Sequence, residues 1–239
     1  MKFAFGVFDE AHKTSGNQDK IFAHMLFDAN LPIRQRLFMT ATERKYIGYS
    51  DRVASMEHVA TYGQTFYSLS FKQSIEAQPP LLSDYRVVTV VVHQEEVARL
   101  IEKNAYLATE NEKAGAMTAR ALASVIALRK AVEQFGIKHA ISFHSSIKRA
   151  KDFAGLCDSV SKSDSSGPQM HTYHVSGSMA TSQRDRIISD FALQAPSLVA
   201  NARCLTEGVD IPAVDAVFFA DPKSSTIDVV QACGRAMRL

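Results

Sequence analysis

The chain has 239 residues, enough for one large domain or two small ones, and 46% hydrophobic with 22% charged residues is ordinary globular composition. This excludes a disordered tail, a collagen-like fibre and a disulfide scaffold. Lys and Arg number 27 against 25 Asp and Glu, and the resulting net charge of +2 does not by itself point to nucleic acid, so such a partner has to be argued from local motifs. The longest uncharged apolar run, around Val87 to Val92, is far short of the roughly 20 residues of a membrane-spanning helix. Met1-Lys2-Phe3 leads into a strand pattern without signal-peptide layout, so a soluble cytoplasmic protein is expected. Cys157, Cys204 and Cys233 form no C-x-x-C pair, which leaves neither a zinc knuckle nor a disulfide framework.

In chain order, Phe3 to Phe8 is a short apolar run that fits a strand buried on both faces of a parallel sheet, and it stops at Asp9-Glu10-Ala11-His12. A helix is predicted over Gln18 to Asn30, closed by Pro32, and a second strand over Arg36 to Met39, ending at Thr40-Ala41-Thr42. Strand, helix, strand predicts a parallel sheet whose ligand sites lie outside the carboxyl ends of the strands. The turn-rich Ala77-Gln78-Pro79-Pro80 marks a domain boundary, giving regions 1–80 and 81–239. Beyond it, Tyr85 to Val92 is β-branched enough to read as a strand. Residues 111–135 read as a long helix stopped by Gly136. A strand at Ala140 to Phe143, a helix over Ser146 to Leu156 and a serine-rich loop from Ser159 to Gln169 follow. Further strands are predicted at Thr172 to Val175, Ser197 to Ala200 and Ala216 to Ala220, with helices over Gln183 to Leu193 and Thr226 to Ala232. The fold class is therefore α/β with parallel sheets.

An apolar strand ending in Asp-Glu is the layout of a Walker B site, in which Asp9 would hold Mg²⁺ through its shell and Glu10 would orient or deprotonate the attacking water. Two solvated acids opening a loop would look the same. The surrounding strings bear on the choice. Asp9-Glu10-Ala11-His12 resembles motif II of the DEAH-type superfamily 2 helicases, and Thr40-Ala41-Thr42 resembles their motif III. Ser142 to Ser146 resembles motif IV, Leu205 to Pro212 motif V, and Gln231-Ala232-Cys233-Gly234-Arg235-Ala236-Met237-Arg238 has the Q-x-x-G-R-x-x-R form of motif VI. Val175 to Met179, with Arg184 and Phe191, is similar to the segment between motifs IV and V. The flavour is similar to the type III restriction-subunit and translocase group, and not to DEAD-box RNA helicases, which carry Asp where His12 stands.

The resemblance implies two RecA-like domains and an ATP- and Mg²⁺-using motor that moves nucleic acid, DNA rather than RNA. It implies that Asp9, Gly208 and Asp210 contact the nucleotide, with Asp9 on the metal, while Glu10, Arg235 and Arg238 act on the γ-phosphate step, where an arginine contributes on the order of 10³ to 10⁵ in rate. His12, Thr40, Thr42 and Gln231 would couple the two domains. Ser145, Ser146, Arg203 and Thr206, with Lys148 nearby, would contact a nucleic-acid backbone, since hydroxyls and cations bind phosphate without reading sequence.

A phosphate-binding loop of the form G-x-x-x-x-G-K-[ST] is missing: none of the eleven glycines is followed by Lys. The first RecA-like domain is accordingly expected to be incomplete, lacking its P-loop half, either because the sequence is part of a longer helicase or because a P-loop-bearing partner chain supplies it. The competing expectation is a helicase remnant that binds nucleic acid or protein without hydrolysing ATP. No membrane partner is expected.

Overall fold

A computed structural model describes residues 2–47, 52–103, 112–202, 211, 214–223 and 225–239, with the side chains of 103 and 112–118 outside that description. Contacts divide the chain into two compact units, Met1–Ser74 and Ile75–Leu239. Among the described residues no helix is long and apolar enough to cross a membrane.

In the first unit, β1 (Phe3–Phe8) pairs in parallel with β3 (Ile33–Phe38), and the two-residue strands β2 (Gly16–Asn17) and β4 (Val53–Ala54) pair antiparallel. Phe8, Ala11 and Ile33 form a small core, extended through Phe38 to Tyr62 by ring contacts of 5.0 Å. Burial on both faces, expected for β1, is not observed. Phe3, Phe5 and Val7 alternate along the strand and are 39%, 54% and 55% exposed, because β3 is the only strand paired with it among the described residues and one face has no cover. The helix expected over Gln18 to Asn30 shrinks to the single turn α1 (Ile21–His24). Short polar side chains at its ends take local bonds instead: Asn17 Oδ1 accepts Asp19 N–H at 2.9 Å and Asp28 pairs with Arg36 at 2.6 Å. Two short helices follow, α2 (Val59–Tyr62) and α3 (Phe71–Glu76), the second carrying the unit boundary.

In the second unit a four-stranded, wholly parallel sheet has the order β6-β7-β5-β8, with β5 (His139–Phe143), β6 (His171–Ser176), β7 (Ser197–Ala202) and β8 (Ala216–Phe219). The central strands β5 and β7 are buried at every position, as their near-continuous apolar runs require. Strand alternation sorts their side chains onto two faces. Ala140 and Leu198 pack under α4 (Gln94–Lys103), α5 (Glu112–Phe135) and α6 (Ile147–Ser163), whereas Ile141, Phe143 and Val199 pack under α7 (Thr181–Leu193) and α8 (Thr226–Ala236). This is a three-layer α/β arrangement. Leu122, Val125, Leu128 and Val132 recur at helical spacing on α5 and are at most 5% exposed, each contributing about 1.5–3 kcal/mol of burial. Gly136, at φ 65°, ends α5 where a left-handed residue is required.

Two further expectations are corrected here. Tyr85 to Val92 forms no strand: its valines find no partner strand among the described residues, and β-propensity measures fit to a pleated surface rather than a backbone preference. The serine loop begins only at Asp164, because α6 runs on through Ser163, with Val160 and Ser161 buried and the Ser163 hydroxyl donating to Ser159 O.

Candidate functional site

The carboxyl end of β1 carries the first group of expected residues. Asp9 is exposed, and its Oδ1 accepts Glu10 N–H at 2.9 Å. Glu10 itself is left-handed (φ 50°, ψ 45°), a conformation uncommon for a non-glycine residue, at the entry to the turn that follows. A 3₁₀ turn over Ala11–Thr14 follows, tied to the end of β3 by Ala11 N–H donating to Met39 O at 2.9 Å. His12, 4% exposed, is thereby brought against the residues after β3: its Nδ1 lies 3.1 Å from Thr40 Oγ1 and 3.3 Å from Glu10 Oε2. The Thr40 hydroxyl donates to Thr42 O at 2.9 Å and accepts Thr42 N–H at 3.2 Å. With its one hydrogen so committed, Thr40 can only accept from His12, which assigns a proton to Nδ1. Asp9, Glu10, His12, Thr40 and Thr42 therefore gather in one cluster, in which Glu10 Oε2 lies close to His12 but is buried without a hydrogen-bond partner. Thr42 Oγ1 is buried within it without a hydrogen-bond partner.

Among the described residues no group of three or more His, Cys, Asp or Glu side chains could cage a metal ion. A single exposed carboxylate at Asp9 suits Mg²⁺, which keeps most of its waters and is held by one or two carboxylates plus phosphates rather than by an all-protein cage.

In the second unit the loops leaving β5 and β8 meet. The β5 loop is anchored by His144 N–H donating to Asn201 O at 2.9 Å, and Ser146 caps α6 by accepting Arg149 N–H at 3.2 Å. Ser145 donates both its N–H (2.8 Å) and its hydroxyl (2.9 Å) to Asp221 Oδ2, just after β8. Arg149 Nη2 reaches Asp221 Oδ1 at 2.7 Å. Burial pushes the Asp221 carboxyl upward, but the Ser145 amide and hydroxyl and the Arg149 cation outweigh it, and the net shift is downward. His144 is 2% exposed, bonded through Nε2 to Ser142 Oγ at 2.9 Å, and burial pulls it down to about 4. It is neutral near pH 7. Ser145, Ser146 and Lys148 are exposed.

On α8, Gln231 is half-buried and its Nε2 is enclosed without a hydrogen-bond partner. The helix stops at Ala236, so Arg235 lies in its last turn and is 8% exposed, while Arg238 stands exposed two residues past the helix end. Arg203, Thr206, Gly208 and Asp210 lie outside the described residues.

The helicase conserved C-terminal domain model matches residues 123–239, a span that takes in the whole four-stranded sheet with α6 to α8. Residues 123–239 form a superfamily 2 helicase C-terminal domain. Two curated relatives of this helicase segment, "Probable helicase A859L" from two isolates of African swine fever virus, are each 24% identical over 248 residues, covering 96% of this chain and 24% of their own length. The chain thus spans about a quarter of the curated relatives it matches. Among solved structures, the ATP-dependent Type ISP restriction-modification enzyme LlaBIII bound to DNA superposes with a TM-score of 0.79 at 26% identity, over 100% of this chain and 17% of that one. The expected superfamily 2 helicase resemblance and RecA-like α/β fold are borne out.

Asp221 and Arg149 were not anticipated from sequence. A signal for Asp221 existed, since it is an acid directly after an apolar strand, the same pattern that singled out Asp9.

Proposed function

We propose that the chain is part of an ATP-dependent, Mg²⁺-using DNA helicase or translocase of the DEAH type, with 1–80 as the latter half of one RecA-like domain and 81–239 as the other. The observation that carries this reading is the cluster at the end of β1, where an exposed Asp9 accepts Glu10 N–H, the Glu10 carboxylate lies 3.3 Å from His12, and His12 is bonded to Thr40. Such a cluster ties the residues that would sense a nucleotide to those that would report it. The match to a DNA-bound, ATP-dependent enzyme favours DNA as the strand.

Bound Mg-ATP supplies the phosphoanhydride to be broken and, through the metal, charge neutralisation on the phosphates. Asp9 would hold the metal, which would supply this charge neutralisation on the phosphates. Glu10 takes the proton of the attacking water on its carboxylate. Arg238, exposed beyond the helix end, meets the charge that develops on the γ-phosphate, while the buried Arg235 holds the end of α8 in place for it. Gly208 and Asp210 line the nucleotide, and His12, Thr40, Thr42 and Gln231 transmit its state between the domains. Ser146, Arg203 and Thr206 face the nucleic-acid backbone. The phosphate-holding glycine loop that this chemistry needs has no match in these 239 residues and would have to come from elsewhere.

The test is steady-state ATPase of the whole protein with saturating single-stranded DNA, beside nucleotide binding. Glu10→Gln should abolish turnover and keep binding, whereas Asp9→Ala should weaken Mg-ATP binding as well. Unchanged turnover in Glu10→Gln refutes the reading.

A further inference from the structure

Asp221 has no part in the reading above, yet both of its carboxylate oxygens are committed. Oδ2 receives two hydrogens from Ser145, and Oδ1 receives Arg149. It is 5% exposed beside the exposed run Ser145 to Arg149. A carboxylate in that position is a liability for any site that meets phosphate, because it repels the ligand's charge. Its cost is offset only if what it holds is worth more than the repulsion.

What it holds is the β5–α6 loop. Residues 145 and 221 follow different strands, 76 positions apart, and the Ser145 side chain is held by its bond to Asp221. Because the Ser145 hydroxyl hydrogen already points at Asp221, Ser145 has only lone pairs left to offer, and phosphate oxygens need donors. Direct contact then falls to its neighbours: the exposed hydroxyl of Ser146, whose oxygen accepts Arg149 N–H, and the exposed cation of Lys148.

We propose that Asp221 is a positioning residue for nucleic-acid engagement, clamping Ser145 and Arg149 so that Ser146 and Lys148 meet the phosphate backbone. This rests on the nucleic-acid reading above and reassigns Ser145 from phosphate contact to clamped support.

The two views of Asp221 differ in sign. As a bystander charge, its removal tightens binding to a polyanion; as a clamp, its removal weakens it. Asn keeps one acceptor and puts an N–H where Ser145 or Arg149 already donates, so Asp221→Asn breaks the clamp while removing the charge. Binding of a fluorescent oligo-dT strand to the whole protein is followed by anisotropy across a salt series. Asp221→Asn should bind on the order of 10-fold more weakly, with a salt slope reduced by about one phosphate contact, and amide hydrogen exchange at Ser145 should accelerate. A change in folding stability moves neither the slope nor its sign. Tighter or unchanged binding by the folded variant overturns the proposal while leaving the nucleic-acid reading intact. A wild-type protein that does not bind the strand refutes that reading itself. Should Asp221→Asn not fold, Asp221→Glu, which keeps the charge but displaces the carboxylate by one methylene, decides in the same way: weaker binding supports the clamp and equal binding overturns it.

Discussion

The burial of His144 makes a prediction about acid stability that can be worked through. The imidazole is 2% exposed, packs 4.8 Å from the Phe153 ring centroid, and is bonded to Ser142. Burial pulls it from its usual 6.5 to about 4; Asp221 opposes this, and Arg149, His174 and Lys223 add to it. A group whose folded value lies below its unfolded value contributes stability that is complete above about 6.5 and is lost as the pH falls toward 4, because only the unfolded chain takes up the proton in that window. At pH 5 the unfolded histidine is protonated by about 1.5 units of excess, worth ~2 kcal/mol at ~1.4 kcal/mol per unit. The ring lies under the exposed loop 145–149, so water relieves part of the cost, and ~1–2 kcal/mol is the working figure. For a unit of this size that lowers the melting temperature by roughly 3–6 °C between pH 7 and pH 5. His144→Gln keeps a polar partner for Ser142 and removes the titration. The variant will melt lower at every pH because it loses ring packing, so the measurement is the slope of Tm against pH. His174 is lowered by burial too but is present in both proteins and cancels. Equal slopes for the two proteins from pH 7 to pH 5 would refute the reasoning.

Glycine positions give a second pair of outcomes. A Cβ on Gly167 would sit 2.6 Å from Arg129 Nη2 and 3.0 Å from Cζ, and that guanidinium is buried and bonded to Asp164 at 2.9 Å, so Gly167→Ala should cost about 1–3 kcal/mol in a denaturant titration. Gly155 sits on α6 with nothing within 4 Å of its would-be Cβ, and Gly155→Ala should stabilise by about 0.5–1 kcal/mol. The motif VI arginines should separate in two assays on the whole protein. Arg238→Ala should lower ATP turnover by on the order of 10³ with a nearly unchanged melt, whereas Arg235→Ala, at a position 8% exposed, should lower both.

The second unit was largely legible because its signals are redundant. The apolar runs of β5 and β7, the helical stripe from Leu122 to Val132, and Gly136 and Ser146 at element ends each needed only local physics to be read. The failures occur where a partner decides. Phe3 to Phe8 has the composition of a doubly buried strand, but only Phe8 is buried, and composition carries no information about what lies opposite. Tyr85 to Val92 has strong β-propensity without a strand to pair with. The amphipathic helix Gln94–Lys103 could have been found, since Glu96 reaches back to His93 N–H at 2.8 Å in the pattern of a capping box. At the first site the sequence pattern picked out Asp9, Glu10, His12, Thr40 and Thr42, but not the bond between His12 and Thr40, which depends on β1 and β3 lying side by side in register.

Asp9 and Asp221 show why an acid at a strand end cannot be assigned from the pattern itself. Both follow an apolar parallel strand, and both accept a backbone N–H. For Asp9 that donor is the next residue, the side chain stays exposed, and the carboxylate remains open to a cation arriving with its own waters. For Asp221 the donors come from a loop 76 residues earlier and from Arg149, the side chain is 5% exposed, and both carboxylate oxygens are already engaged. The difference is topological: β8 lies beside β5, so the loop leaving β5 and the first turn of α6 deliver three donors to the end of β8. At the end of β1 the neighbouring β3 delivers Met39 O, an acceptor, which takes Ala11 N–H and leaves Asp9 without a cross-strand donor among the bonds described. The chemistry open to each carboxylate therefore follows from whether the adjacent strand returns donors or acceptors, and that is fixed by strand order rather than by the acid or its flanking residues.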